Sequence, residues 1–467
     1  MSEAWEVVIG MEVHVQPRTR SKMFCGCAIA PLNAAPNTYV CEICEGMPGV
    51  LPVINKAAVE ACLKTALALE CEIPEHTKFD RKNYMYPDLP KGYQISQYDL
   101  PMSRNGHLDV DGSRVRIRRV HLEEDTGKLV HAGDKLHKAS ESFVDLNRAG
   151  VPLMEIVSEP DIRSADEARE YAMALRILLR TIGASEADME KGQMRVEPNI
   201  SVRRAGNPEF GEKTELKNIN SFRALHRAIE YEVKRQVDLI ESGGTVKQET
   251  RGWSEAEQRT FKQRSKEDAE DYRYFPEPDL PPLRLDRAWI EKLRRELPEL
   301  PAVRRTRLVE EYALPAADAA LIASEREWAD LFEGAVEKGA PAKATAHWII
   351  GEPTARDLSP DFLADIVTLV SDGRINRDQG REVLAESLST GTSPSAVVSA
   401  RGLTQESDAG ALESIVREVI SSNPRAVSDY RAGKRQALGA LMADLKKKAP
   451  AANPKVANEL LQRLLAS

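Results

Sequence analysis

Residues 5–16 read WEVVIGMEVHVQ, and this stretch decides the fold because its polarity alternates from one residue to the next. The apolar side of the alternation carries Met11, Val13 and Val15, and the polar side carries Glu12, His14 and Gln16. Alternation of this kind is typical of a β-strand with one buried face. The stretch therefore predicts a sheet that is apolar on one side and polar on the other.

Two further segments alternate in the same way. Residues 194–203, MRVEPNISVR, form a second predicted strand. Residues 114–117 alternate as well, but the arginine pair at 118–119 breaks the phase. A β-bulge at that point would re-aim His121 and Glu123, and bulges are common beside functional sites.

Helical patterns and punctuation set the domain organisation. Ser221 can cap a helix that the glycine pair at 243–244 would end. The segment 274–282, YFPEPDLPP, is too rich in proline for a helix and is predicted to be an extended connector. In the tail, Asn423–Pro424 and Asn453–Pro454 each offer a helix start, which predicts a small three-helix unit. The expected fold class is α+β, in three parts: a mixed domain over residues 1–290, a helical domain over residues 291–405 and the small unit over residues 406–467.

The composition is that of a soluble and rather helical protein, with 42% hydrophobic and 30% charged residues among 467. No run approaches the roughly 18 apolar residues of a membrane span, and the N-terminus lacks a secretory pattern, so a cytoplasmic location is expected. The net charge of -8 would argue against nucleic-acid binding if it were spread evenly. Residues 423–467, however, carry nine Lys or Arg against three acidic residues, which makes the tail basic.

Four of the six cysteines form two close pairs, Cys25–Gly–Cys27 and Cys41–Glu–Ile–Cys44. Two thiolate pairs at this spacing are what a tetrahedral zinc site needs, and four cysteine ligands leave no open position for catalysis. We interpret the cluster as a structural zinc site. Four buried, reduced cysteines are the alternative.

Glu12 and His14 on the polar strand face could converge on a divalent cation with the acidic run at residues 123–125 of HLEEDTGK. Carboxylate oxygens suit Mg²⁺, which bridges substrate phosphates. Imidazole favours softer metals, so His14 would instead orient a carboxylate or a water. The alternatives are a solvated strand face and an acidic run on the surface.

Basic residues lie beside tyrosines in residues 81–99 and 264–279. Such interleaving can bind phosphate and stack bases, although ordinary loops have the same composition. The sequence has no GxxxxGK[ST] loop, so an ATP site would not be of the Walker type. It has no GxSxG elbow either, and Cys62 and Cys71 fall in an apolar helical stretch, which leaves no plausible nucleophile.

Six long segments are similar to the GatB/GatE family: GMEVHVQ (10–16), NYMYPDLPKGYQISQYD (83–99), VHLEEDTGKL (120–129), DLNRAGVPLMEIVSEPD (145–161), ELKNINSF (215–222) and RSKEDAEDYRYFPEPDLPPL (264–283). The similarity covers the whole chain, since the helical middle and the basic tail resemble the B subunits of the bacterial aspartyl/glutamyl-tRNA(Asn/Gln) amidotransferases, GatCAB. The tail resembles a YqeY-like module. The family pattern suggests an aromatic residue at position 85, where this chain has Met85. The difference argues against a stacking role at this position and does not affect the metal site.

The resemblance implies a fold, an activity and partners. Residues 1–290 would form a cradle whose mainly antiparallel sheet resembles that of glutamine synthetase and the guanido kinases. The subunit would use ATP to phosphorylate the side-chain carboxylate of Glu-tRNA(Gln) or Asp-tRNA(Asn), and ammonia would then displace the phosphate. Ammonia would come from glutamine hydrolysed by the A subunit, which accounts for the missing nucleophile. The expected partners are the A and C subunits in a heterotrimer, tRNA, and as a further candidate the mischarging synthetase.

The resemblance also assigns residues. The catalytic set is Glu12, His14, Glu123, Glu124, Arg148, Glu155 and Glu215. Within it, Mg²⁺ would be held by Glu12, His14, Glu124 and Glu215, with Glu197 close behind. ATP would be contacted by Lys82, Lys91, Arg264, Lys266 and Arg273, with Lys82 and Lys91 also near the ammonia route. Zinc would be held by Cys25, Cys27, Cys41 and Cys44. The basic tail would contact the tRNA backbone through Lys434, Arg435, Lys446, Lys447 and Lys448, a solvated helical surface being the alternative.

Two rival functions remain for comparison. A tRNA-binding scaffold without chemistry would tolerate neutralisation of Glu12, His14 and Glu124. The glutamate-specific GatE branch carries a large inserted domain, for which this chain has no room. No local feature distinguishes Asp-tRNA(Asn) from Glu-tRNA(Gln) as the substrate.

Overall fold

A large sheet organises the first part of the chain in the computed structural model, which describes residues 5–131, 141–265, 272–403, 409–432, 434, 436–449, 452 and 454–466. The described strands are β1 (Trp5–Val15), β2 (His76–Thr77), β3 (Asp80–Asn83), β4 (Tyr93–Ser96), β5 (Ser103–Val110), β6 (Ser113–Glu124), β7 (Lys128–His131), β8 (Ser142–Asp145), β9 (Pro152–Ser158), β10 (Met194–Arg204), β11 (Thr214–Lys217), β12 (Glu249–Ser254), β13 (Arg259–Ser265), β14 (Phe275–Pro276) and β15 (Leu283–Arg284). Eight of them form one sheet in the order β13-β12-β11-β10-β1-β9-β6-β5. The neighbours in this sheet are antiparallel except for β11 and β12. A mainly antiparallel sheet was predicted, and it is confirmed.

Helices cover one face of this sheet. The first unit contains α1 (Lys56–Ala68), α2 (Ala165–Thr181), α3 (Phe222–Glu241) and α4 (Arg287–Arg295). Helices α1, α2 and α3 pack against the strands, and Met11, Val13 and Val15 are fully buried in the core between them. The intervening residues of β1 face the other way and are only half-buried. We call that second side of the sheet the polar face, and the alternation of residues 5–16 correctly predicted it.

Two predictions that rest on a few adjacent residues are confirmed, one of a β-bulge and one of a helix cap. The register of β6 against β9 shifts between Ile117 and Arg119, so the predicted bulge exists. Ser221 caps α3 by accepting a hydrogen bond from the Ala224 amide at 3.1 Å. Cys71, however, lies beyond the end of α1, so its placement inside a helix was wrong.

Three smaller sheets flank the large one, in the orders β14-β3-β4, β15-β2 and β7-β8. The predicted connector at 274–282 supplies β14, in which Phe275 pairs with Arg81 and Pro276 with Asp80. Proline is tolerated there because β14 is an edge strand. The segment is therefore extended, as predicted, but it also belongs to a sheet.

The chain divides into two compact units between Leu300 and Pro301. Helix α4 packs Ile290 and Leu293 into the first core, so the division falls about ten residues beyond the expected boundary at 290.

The second unit is helical throughout its described residues, as predicted for residues 291–405. It contains α5 (Pro301–Tyr312), α6 (Ala316–Ala323), α7 (Arg326–Glu337), α8 (Ala342–Gly351), a 3-10 helix (Pro353–Asp357), α9 (Pro360–Ser371), α10 (Arg377–Thr390), α11 (Pro394–Arg401), α12 (Ala409–Ser422), α13 (Pro424–Arg431), α14 (Ala437–Lys448) and α15 (Pro454–Ala466). One core joins α5 to α11 and another joins α12 to α15. The expected boundary at 405 lies outside the described residues. No helix in the described ranges is both long and apolar enough to cross a membrane.

The prediction of a three-helix tail was wrong, because the described part of residues 409–466 forms four helices. Asn423 does precede a helix that starts with Pro424, but its side chain does not cap it. The Asn423 amide instead donates to the Val419 carbonyl at 2.9 Å and to Asp444 at 2.8 Å. Asn453 lies outside the described residues.

Candidate functional site

The candidate site is built on the polar face where β1 runs between β9 and β10. Across these strands Glu12 lies opposite Glu197, and His14 lies opposite Glu155. Directly opposed residues of antiparallel strands have neighbouring side chains. Strand pairing therefore brings acidic residues from distant parts of the chain into contact.

A first group of side chains forms around Glu155. One ligand atom from each of His14, Glu123 and Glu155 lies within 4.8 Å of the others. The Nε2 atom of His14 is 3.7 Å from Glu155 and 3.8 Å from Glu123. His121 joins them, with its Nε2 atom 3.1 Å from Glu155 Oε2. Two imidazoles and two carboxylates thus share one corner of the polar face.

Charge around this first group favours the ionised carboxylate. Burial opposes ionisation of Glu155, but His121 and His14 beside it hold its pKa well below its usual range. The Nδ1 atoms of both histidines are buried and have no hydrogen-bond partner among the described residues. Unpartnered buried ring nitrogens are costly unless a proton acceptor, a water or a ligand satisfies them. The group therefore has capacity left for a bound cation or substrate.

A second group lies on the other side of β1. One carboxylate oxygen from each of Glu12, Glu197 and Glu215 lies within 4.8 Å of the others. The Nζ atom of Lys217 is 2.6 Å from Glu197 and 3.2 Å from Glu215. Asn199 donates to Glu12 Oε1 at 3.0 Å. Glu12 is the member of this group for which no ion pair exists within the described chain.

The charges in the second group are not balanced. Burial, and then the negative charges of Glu155 and Glu215, raise the pKa of Glu12. Burial opposes ionisation of Glu197, but Lys217, His14 and Arg195 together hold the pKa of that carboxyl below its usual range. Three carboxylates with one ammonium leave excess negative charge in a half-buried place. Hard oxygen ligands with excess negative charge fit Mg²⁺.

Glu124 lies apart from both groups. Its carboxylate accepts from the Lys91 ammonium and from the Ile95 amide, the latter at 2.9 Å. The expected magnesium set of Glu12, His14, Glu124 and Glu215 is therefore not brought together as one group. The reason is geometric: Glu123 takes the polar face of β6 beside His14, and its neighbour Glu124 points elsewhere along the pleat.

Arg148 does not present a free guanidinium. Its Nε atom donates to the Thr126 carbonyl at 3.0 Å and its Nη2 atom to the Gly127 carbonyl at 2.6 Å. It also lies 3.7 Å from Asp125, which forms a second ion pair with Arg195. These bonds hold the turn after β6. The expected phosphate contact of Arg148 would require them to open.

Among the expected ATP contacts, Lys82 is best placed. Its Nζ atom lies 4.8 Å from the centre of the Tyr272 ring. Burial works to lower the pKa of Lys82, but Glu123, Tyr274, Tyr272 and Glu155 together outweigh it, so the pKa is raised and the amine stays protonated. Lys91 is engaged by Glu124. Arg264 pairs with Thr250 through the backbone of β13, Arg273 follows the undescribed residues 266–271, and Lys266 lies within them.

The four cysteines of the two pairs form a third group, with sulfur atoms all within 4.8 Å of one another. Cys44 is buried and central, at 4.0 Å from the Cys27 sulfur and 3.8 Å from the Cys41 sulfur. A hydrogen bond from Cys25 lowers the pKa of Cys44 to about 4. The donor set and the spacing fit a tetrahedral thiolate-bound metal. By contrast, burial raises the pKa of Cys71 to about 11, which leaves it unreactive.

The basic tail residues lie on the surface. Lys446, Lys447 and Lys448 are exposed in the last turn of α14, where positive charge also suits the helix dipole. Lys448 contacts Glu418 at 2.9 Å, and Lys434 contacts Asp429 at 3.0 Å. Arg435 lies outside the described residues.

Sequence reasoning missed several members of the site. Lys217 stands two residues after Glu215 on the same side of β11, and Asn199 follows Glu197 on β10; strand alternation was the available signal. Arg119 and His121 share the polar face of β6 with Glu123, since Val120 and Leu122 are buried in the core. The Nε atom of Arg119 is buried without a hydrogen-bond partner among the described residues. The predicted bulge had drawn attention to His121, which was not assigned to the site, and Arg119 was seen only as part of the bulge.

Comparisons with known proteins place this geometry in a family. The family model described as "GatB/GatE catalytic domain" matches residues 7–291, and a model described as "GatB domain" matches residues 330–465. Proteins from three bacteria are similar over nearly their whole length, and each is named as the B subunit of an aspartyl/glutamyl-tRNA(Asn/Gln) amidotransferase. The one from Moorella thermoacetica is 50% identical, covering 99% of this chain and 100% of the relative. Those from Carboxydothermus hydrogenoformans and Thermodesulfovibrio yellowstonii are 48% and 46% identical, each with 99% of both chains covered.

Proposed function

The chain belongs to the GatB/GatE family, and on that premise we propose that it is the amide-forming subunit of a tRNA-dependent amidotransferase. The names of its relatives supply the substrate class, which is a tRNA carrying aspartate or glutamate where asparagine or glutamine belongs. The same names imply a complex with other subunits, and we take these to be a glutaminase A subunit and a C subunit. The observation that carries the proposal is the pair of acidic groups on either side of β1.

The reaction proposed has two steps. In the first, an oxygen of the substrate's side-chain carboxylate attacks the γ-phosphorus of ATP, an O–P bond forms, and ADP leaves. In the second, ammonia attacks the activated carbonyl carbon, inorganic phosphate leaves, and the nitrogen loses a proton. Phosphoryl transfer of this kind depends on positioning and electrostatics rather than on a covalent nucleophile. A site of carboxylates and cations without a nucleophile suits that requirement.

We assign Mg²⁺ to the two acidic groups, because both present hard carboxylate oxygens and the second also carries excess negative charge. The first group would hold it through Glu123 and Glu155 with His14, and the second through Glu12, Glu197 and Glu215. When bound, Mg²⁺ would neutralise charge between the phosphates and the substrate carboxylate. Glu12 and His14 are two residues apart on one strand, so the two groups adjoin and can serve one substrate.

Cations of the chain itself would meet the transferred phosphate. Lys82 on β3 is half-buried near Glu123 and is protonated, and Arg119 keeps a buried donor without a partner among the described residues. Arg264, Lys266 and Arg273 remain candidates for the same role. Lys91 and Glu124 would lie on the ammonia route, and an acyl phosphate has to be kept from water while ammonia arrives.

The remaining assignments follow the same premise. The four cysteines would hold a structural zinc ion, and the exposed lysines of α14 would contact the tRNA backbone. The large antiparallel sheet with an open polar face supports a cradle of the glutamine synthetase and guanido kinase kind.

An isotope experiment tests the proposal in the assembled complex. The side-chain carboxylate of the misacylated tRNA is labelled with ¹⁸O, and the inorganic phosphate released during amide formation is analysed. Transfer of one label to phosphate is expected, because the attacking oxygen leaves with phosphorus. Unlabelled phosphate would exclude the acyl phosphate.

Glu215→Gln should lose tRNA-dependent ATP cleavage but keep tRNA binding, and Glu212→Gln, an exposed neighbour, should keep both. Wild-type amide formation by Glu215→Gln would favour a scaffold without chemistry.

A further inference from the structure

The loop that carries the second cysteine pair contacts Lys91 directly. We call residues 41–46 the cysteine knuckle. Gly46 ends it with φ of 72°, in the left-handed region. A methyl group on Gly46 would lie 2.5 Å from Lys91 Cγ, 3.2 Å from its amide nitrogen and 3.3 Å from its Cα. The backbone at Gly46 therefore packs against both the backbone and the side-chain methylene groups of Lys91. Only glycine permits so short a distance.

Gly150 lies between the knuckle and Glu124. A methyl group on Gly150 would lie 3.7 Å from Cys44 Cβ and 3.8 Å from Glu124 Oε2, so Gly150 lies next to both groups. Cys44, Glu124, Gly150 and Lys91 also line one small pocket. The metal-binding cysteines and the Lys91–Glu124 ion pair are therefore walls of the same space.

We propose that the cysteine knuckle is a positioning element for Lys91. When its cysteines hold a metal of the zinc class, the backbone at Gly46 presses the Lys91 stem toward Glu124 and fixes the ion pair. Without the metal the knuckle is released, and Lys91 becomes free to leave Glu124. The metal then does more than stabilise the fold, because it sets the geometry of the ion pair that Lys91 makes with Glu124 at the end of β6.

Two glycines of this loop form a matched pair for the test. Gly46 and Gly49 both have positive φ, of 72° and 87°, so alanine strains the backbone similarly at either position. A methyl group on Gly49 would meet nothing within 4 Å. Both Gly46→Ala and Gly49→Ala therefore introduce backbone strain, but only Gly46→Ala introduces a clash with Lys91.

The readout is the chemical reactivity of the Lys91 amine, which does not depend on the enzyme's activity. The full chain is treated with limiting acetic anhydride, and modification of Lys91 is followed by mass spectrometry relative to exposed Lys56. Loss of an interaction of ordinary strength should raise the Lys91 rate about fivefold in Gly46→Ala, with zinc content unchanged. Gly49→Ala should match the wild type. Wild-type chain stripped of zinc by a chelator should show the same rise as Gly46→Ala.

Equal Lys91 reactivity in the wild type, Gly46→Ala and the stripped chain would overturn the proposal. If Gly46→Ala does not fold, the comparison of zinc-loaded with stripped wild type decides alone, and no difference there overturns it. A second measurement rests on the proposed function. In the assembled complex, Gly46→Ala should release more glutamate per amide formed, because a displaced Lys91 no longer guides ammonia. Raised reactivity with normal coupling would confirm the positioning and refute the ammonia-route assignment of Lys91.

Discussion

Replacing Glu12 by glutamine should make the metal-free chain more stable while it impairs the reaction. Glu12 is surrounded by carboxylates, and burial together with the charges of Glu155 and Glu215 raises its pKa. Its carboxylate lies within 4.8 Å of those of Glu197 and Glu215. Asn199 donates to Glu12 Oε1 at 3.0 Å, and the oxygen of a glutamine can accept the same bond. The substitution therefore removes charge and preserves shape.

The magnitude follows from these distances. Two unit charges 4.8 Å apart repel by about 3 kcal/mol at an effective dielectric constant of about 20. Lys217, at 2.6 Å from Glu197 and 3.2 Å from Glu215, cancels most of the repulsion from those two neighbours. We expect a net gain on the order of 1 kcal/mol in the free energy of unfolding at neutral pH.

The sign can be checked against pH. A carboxyl whose pKa is raised by folding begins to weaken the fold as the pH rises through its unfolded pKa, and the cost reaches its full value above its folded pKa. That cost vanishes as the pH falls below the unfolded value of about 4.3. The advantage of Glu12→Gln should therefore be present at pH 7 and disappear near pH 4.

The assays are chemical denaturation with and without Mg²⁺, and amide formation by the assembled complex. Mg²⁺ should stabilise the wild type more than Glu12→Gln, because the variant lacks one ligand. Amide formation should fall on the order of a hundredfold, since electrostatic groups of this kind contribute about 3 kcal/mol to transition states.

Glu6→Gln is the matched control, on the same strand. Glu6 accepts from Arg203 and Arg163, which hold its pKa below its usual range. Its replacement should therefore not stabilise the chain, and it should leave turnover unchanged. A metal-free Glu12→Gln chain that unfolds more easily than the wild type would refute the electrostatic reasoning. Wild-type turnover in that variant would refute the assignment of the site.

Three further variants separate the roles of the other groups. Glu155→Gln should also lower amide formation on the order of a hundredfold. Unlike Glu12→Gln, it should destabilise the chain, because the lowered pKa of Glu155 means that its negative charge stabilises the fold except in acid. A gain in melting temperature would contradict this. Cys41→Ser should remove one bound zinc per chain and lower the melting temperature, whereas unchanged metal content and melting would support four reduced cysteines. Neutralising Lys446, Lys447 and Lys448 together should weaken tRNA binding and reduce its salt slope by about 0.9 for each phosphate that the tail no longer neutralises, with turnover at saturating tRNA unchanged; an unaltered slope would point to a merely solvated surface.

Much of the fold was readable because its signals are local. The polarity of residues 5–16 repeats every second residue, and the same period recurs at 194–203, so both strands and their buried faces could be predicted. The cap at Ser221 and the bulge after Ile117 are likewise written in a few adjacent residues. The tail was harder, since Asn423 looks like a helix cap but its amide bonds to Val419 and Asp444, and the latter is distant in sequence.

The cysteine cluster could also be predicted from the sequence, because the spacing of metal ligands along the chain is visible there. The carboxylate cluster was readable only in part. Glu12, His14, Glu123, Glu155 and Glu215 all reach the polar face, but the sequence does not state which of them meet. Glu123 and Glu124 are neighbours in the chain, and strand alternation sends them to different partners.

The sequence by itself determined which residues face the polar side of the sheet, where the cysteines cluster and where the backbone turns, because each depends on the period of a strand or on a few adjacent residues. Only the tertiary structure decided how the acidic residues divide into two groups, that Glu124 pairs with Lys91, that Arg148 is bound to backbone carbonyls, and that Gly46 touches Lys91. These contacts depend on the pairing register of β1 with β9 and β10 and on where loops close over the strands. Both are set by contacts between segments more than a hundred residues apart, such as His14 opposite Glu155 and Glu12 opposite Glu197.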